Sequence, residues 1–130
     1  MIIESIQAAR AADDAVKTMK YQIHNVYGLR SASRFGLGVQ TSGYSDVVVE
    51  AVYQREKLMK KLKVQEAYAA VCRAKMMDEV ELIPDFVTRQ IFLYRFYDRC
   101  KWSDVAKRAG IGVQAAKMRC NRYLEQEKAA

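Results

Sequence analysis

The chain has 130 residues, 51% of them hydrophobic, and 22 Lys/Arg against 15 Asp/Glu give a net charge of +7. That length allows one domain or two very small ones, and that apolar fraction excludes wholesale disorder. One Pro, six Gly and little β-branched alternation favour an all-α chain over any sheet-rich fold.

Residues 2 to about 29 predict one helix, with Ile2, Ile6, Ala9, Val16, Met19, Ile23 and Val26 as a partial apolar stripe. Residues 30 to 45 hold three glycines and four serines and predict a loop, read first as a solvated flexible connection and, as the lesser alternative, as one in which Arg30 and Arg34 touch phosphate. Residues 46 to 83 predict a second long helix, capped by Ser45 or Asp46 and ended by Pro84. Counting Val48 as heptad position a, the a positions are Val48, Arg55, Leu62, Ala69, Met76 and Ile83. The d positions are Ala51, Leu58, Gln65, Cys72 and Glu79. This mostly apolar seam predicts a long antiparallel, coiled-coil-like hairpin over 1–83. Lys57, Lys60, Lys61 and Lys63 form a basic cluster that reads as a solvated face.

Residues 84–130 predict a separate unit of three short helices. The first runs from Asp85 to about Tyr97, the second from about Trp102 to Ala109, and the third starts near Val113. Ala109-Gly110-Ile111-Gly112 ends one helix and starts the next within about four residues, the spacing of a helix–turn–helix. Ile111 is apolar inside this turn and predicts a plug between the two helices, Ala106 allows a close crossing, and the Trp102 indole is expected to fill the three-helix junction. The charge excess concentrates here, with ten Lys/Arg against five Asp/Glu from residue 84 onward. On the third helix, Gln114, Lys117, Met118 and Asn121 share a face opposite Ala116, Cys120 and Tyr123, and Arg122 flanks it. Gln and Asn suit adenine edges in a major groove, and Lys or Arg suits guanine or phosphate. With Ser103 at the start of the second helix, these are the candidate DNA contacts.

No catalytic constellation is visible. His24 is the only histidine, Cys72, Cys100 and Cys120 lack metal-ligand spacing, and Gly36-Leu37-Gly38 lacks the lysine of a phosphate loop. The expectation is a cytoplasmic protein that is not an enzyme, with free thiols, no metal, no cofactor and no membrane span.

Segment 89–124 resembles region four of the sigma-70 type, which reads promoters in bacteria. Arg89, Arg95-Phe96, Trp102-Ser103-Asp104-Val105-Ala106 and Gly110-Ile111 carry the likeness. Small sigma-like proteins of phages and prophages are closer still, since they place a helical hairpin before this unit. They also place a Ser-Ser-Gly-x-x-Asp string in the hairpin's connection, where this chain has Thr41-Ser42-Gly43-Tyr44-Ser45-Asp46. The chain departs from the pattern at Lys101 and Gly112, where a Ser or Thr usually caps the second and third helices, and at Val113 and Ala115, which replace polar residues. A helix that starts later, capped by Ser103, is the expectation that follows from Lys101.

The resemblance implies sequence-dependent binding of double-stranded DNA in transcription regulation of phage or prophage genes. RNA polymerase is a possible partner, and the hairpin is the expected contact either for self-association or for the polymerase. Two rivals stay open: an adaptor that docks on polymerase or another protein without reading DNA, and a phage DNA-packaging recognition subunit.

Overall fold

The computed structural model describes residues 1–36 and 41–130, with side chains described for 1–25 and 48–130. The chain is all-α: α1 (Ile2–Gly36), α2 (Thr41–Glu81), α3 (Phe86–Phe92) continued by a π-helical turn (Leu93–Tyr97), α4 (Trp102–Ala109) and α5 (Val113–Ala129). Among the described residues there is no strand, and no helix is long and apolar enough to cross a membrane.

The loop expected over 30–45 is shorter than the glycine and serine content predicts. α1 runs on to Gly36 and α2 begins at Thr41, so Thr41-Ser42-Gly43-Tyr44-Ser45-Asp46 opens a helix, and neither Ser45 nor Asp46 is its cap. Residues 37–40 lie outside the described residues, as do the side chains of Val26, Arg30 and Arg34. Extending a helix that is already nucleated adds one hydrogen bond per residue fixed, and Ser lowers helix propensity by only a few tenths of a kcal/mol, so Arg30-Ser31-Ala32-Ser33 does not stop α1.

The chain divides by its contacts into two compact units, one of Met1–Ala11 with Ala70–Ala130 and the other of Ala12–Ala69. Both long helices pass through this division; the break at Pro84 lies inside the first unit.

The heptad seam of α2 orders the burial along that helix. Leu62, Ala69, Met76 and Ile83 are buried, and Val48, Ala51, Leu58, Gln65, Cys72 and Glu79 are half-buried. Arg55 is the seam position left exposed, and Val80 joins the buried side. In the second unit, Ala12 of α1 is buried, Val16, Met19 and Ile23 are half-buried, and Lys20 Nζ lies 3.9 Å from Glu66 Oε1. All four lysines of the 57–63 cluster are exposed.

In the first unit, the opening turns of α1 join the C-terminal helices. Ile2, Ile6 and Ala9 belong to one core cluster with Met76, Val80, Ile83, Ile91, Phe92, Val105, Ala116 and Cys120. The Ile2 amide donates to Glu127 Oε1 of α5 at 3.1 Å. The last turn of α2 tightens through Leu82 N to Glu79 O and Ile83 N to Val80 O bonds. Arg89 then clasps its end, with Nε donating to the Ile83 carbonyl at 2.6 Å and Nη2 to the Glu81 carbonyl at 3.0 Å. Asp85 caps α3, as an acceptor for the Val87 amide and for Thr88 Oγ1 at 2.8 Å.

The first predicted C-terminal helix is not uniform. Beyond Phe92 the chain widens into a π turn, with Asp98 N donating to Leu93 O at 3.0 Å, and Arg99 follows at φ 57. Arg95 Nη1 holds this corner by donating to the Cys100 carbonyl at 2.9 Å.

The three free thiols separate by burial: Cys120 is buried, while Cys72 and Cys100 are half-buried. Burial pushes the Cys120 thiol up from the ordinary 9.0 to about 11, against a smaller opposing influence of Arg95. Native-state thiol titration at neutral pH is expected to label Cys72 and Cys100 first and Cys120 only as the unit opens. Because folding holds the Cys120 proton more tightly, its contribution to stability is full below about 9 and is lost as pH rises through about 11. Labelling of Cys120 as fast as Cys100 contradicts this packing.

Candidate nucleic-acid interface

α4 and α5 are joined by a turn whose geometry follows from three residues. Gly110 takes φ 74, in the left-handed region, and its amide donates to the Ala106 carbonyl at 2.9 Å. The Ile111 amide reaches the same carbonyl at 3.1 Å, and its half-buried side chain packs on the core. Ala106 and Ala116 are buried, and α3, α4 and α5 contact one another pairwise. Small residues at these positions let the helix backbones approach closely.

Neither helix of the pair has a side-chain cap. Lys101 is the N-cap of α4 and Gly112 that of α5. α4 therefore starts at Trp102, and Ser103 sits within its first turn rather than capping a helix that starts later. Trp102 itself is half-buried and packs against the core cluster. Two cations cover its ring, with Arg95 Cζ at 5.0 Å and Lys117 Nζ at 5.9 Å from the centroid.

Of the candidate contacts, Gln114, Met118, Asn121 and Arg122 are exposed on α5, and Met118 is 51% exposed. They fall at helical spacing on one side of α5, away from buried Ala116 and Cys120. Gln114, Asn121 and Arg122 have no hydrogen-bond or ion-pair partner among the described residues. Lys117 is half-buried and held toward Trp102, which sets it apart from this group. Ser103 is exposed on α4.

The sequence did not reveal which cations of this unit are already engaged. Arg119 Nη1 lies 2.6 Å from Asp85 Oδ2, tying α5 to the cap of α3. Thr88 foremost, then the Val87 amide and Arg119, hold the Asp85 carboxyl below its ordinary range, while partial desolvation works the other way. Arg108 lies 3.8 Å from Asp98 and 5.5 Å over the Tyr94 ring. Arg89 and Arg95 bond backbone carbonyls, so both arginines, on α3 and its π turn, have structural partners. Asp85 and Arg119 stand 34 residues apart, and no local pattern signals their pairing.

Comparison of the chain with family models, with curated proteins and with solved structures finds no match.

Proposed function

We propose that this chain is a sigma-like DNA-binding regulator of transcription, acting on phage or prophage genes, with α4 and α5 as its helix–turn–helix. The observation that carries this reading is the exposed face of α5, where Gln114, Asn121 and Arg122 stand without partners among the described residues while neighbouring Arg119 is engaged. A rigid helix bearing an amide pair and a cation, with no acid between Val113 and Leu124, suits a major groove. The assignment to phage or prophage genes, and to RNA polymerase as partner, rests on the sigma-like residue pattern alone. α1 and α2 are read as the antiparallel hairpin of that pattern, supported by the Lys20–Glu66 pair and by Ile2 and Ile6 beside Met76 and Val80.

Electrophoretic shift or fluorescence anisotropy against promoter regions, with and without RNA polymerase, tests the reading. Arg122→Ala is expected to weaken binding to all sequences alike and to lower the salt slope by roughly one unit, the signature of one lost phosphate contact. Asn121→Ala is expected to cost about 1–3 kcal/mol on the preferred site and little on random DNA. Lys117→Ala should act less than Arg122→Ala, because its amino group is drawn toward Trp102. All three variants keep wild-type helicity. Absence of salt-dependent binding in both settings rejects DNA reading and leaves the adaptor.

A further inference from the structure

α2 carries a second heptad pattern, on the side turned away from its buried seam. Counting Lys57 as position a places this frame two residues after the first, roughly 200° around the helix. Its centre is apolar: Val64 and Val71 at a, Ala67 and Ala74 at d, all exposed, with Val64 at 72% and Val71 at 66%. Its ends are charged and of opposite sign. Lys57 and Lys60 precede the apolar stretch, and Asp78 and Glu81 follow it, again at a and d and all exposed. Among the described residues none of these eight side chains has a hydrogen-bond or ion-pair partner.

We propose that this face docks a second copy of the same chain, with the two α2 helices antiparallel. When one helix is reversed against its copy, each a position meets a d position of the partner. Val64 then faces Ala74 and Ala67 faces Val71, while Lys57 faces Glu81 and Lys60 faces Asp78. All four pairs form in one register, and twofold symmetry produces each of them twice. A parallel pair would set Lys57 and Lys60 against themselves, and Asp78 and Glu81 against themselves. The charges at a and d therefore favour a second copy in the antiparallel over the parallel direction. Lys61 and Lys75 flank the seam at e positions and fall opposite each other in this register, a like-charge pair formed twice that opposes the four Lys–acid pairs at a and d. The inference does not depend on whether α5 reads DNA.

Light scattering and sedimentation equilibrium over a concentration series test it on the full chain. The expected mass is twice 14.9 kDa, falling to 14.9 kDa for Val64→Glu/Val71→Glu with helicity unchanged. Charge reversal supplies a second, orientation-specific readout. Lys57→Glu/Lys60→Glu makes both ends acidic, and Asp78→Lys/Glu81→Lys makes both ends basic, so each variant alone should be monomeric. An equimolar mixture of the two should regain the dimer mass. A wild-type chain that stays at 14.9 kDa throughout overturns the proposal. So does a dimer that survives Val64→Glu/Val71→Glu. A dimer that each charge-reversed variant forms alone overturns the antiparallel arrangement.

Discussion

Phe92→Ala is expected to lower the stability of the C-terminal helices by about 3–5 kcal/mol. Phe92 is fully buried, and its ring lies 5.8 Å from that of Phe96 and 5.6 Å, edge-on, from that of Tyr123. It therefore joins the end of α3, the π turn and α5 at one point. Three elements meeting on one ring limit collapse around the cavity, which places the loss toward the upper part of that range. Denaturant titration, with hydrogen exchange to locate the effect on α3–α5 amides, measures it. A loss below about 1 kcal/mol would mean that the aromatic cluster closes over the gap.

The second large effect lies far from α3 in sequence. Ile6→Ala is expected to cost about 2–5 kcal/mol. Ile6 is fully buried in the cluster that contains Ile91, Phe92 and Val105, so the loss should appear in the exchange rates of α3–α5. Ile23→Ala, at a half-buried position of the same helix, should cost less and leave those amides unaffected. If Ile6→Ala instead changes exchange only within residues 12–69, the grouping of Met1–Ala11 with the C-terminal helices is contradicted.

The long-period features of this fold were readable in its residues. Apart from exposed Arg55 and off-seam Val80, the a and d positions counted from Val48 describe the burial along α2 and at Ile83 just beyond it, because a seven-residue repeat is visible without knowing what it packs against. The turn at Gly110-Ile111-Gly112 was legible for a similar reason, since glycine at a helix end has a local steric cause. Features set by tertiary packing were not. Nothing in Leu93-Tyr94-Arg95-Phe96-Tyr97 announces a π turn, which depends on Arg95 reaching the Cys100 carbonyl and on Arg99 accepting a left-handed backbone. The connection over 30–45 was read too long, because glycine and serine counts ignore how cheaply a long helix continues. On α5 the sequence identified the polar face. It could not foresee that Lys117 is drawn toward Trp102 or that Arg119 is held by Asp85, because both partners lie on other elements.

The two glycines of the α4–α5 turn leave the molecule unequal freedom to change. Gly110, at φ 74, would strain under any side chain except, at small cost, asparagine, although a Cβ there meets nothing within 4 Å. Gly112 has an ordinary φ of −73 and equally open surroundings. Position 112 can therefore accept Ser, Thr or Asp, any of which would supply the cap that α5 lacks. A lineage or a designer could thus firm up α5 at its root without altering Gln114, Asn121 or Arg122. Position 110 offers no such latitude, so the angle between α4 and α5 is held by a site that tolerates almost no substitution, beside one that remains adjustable.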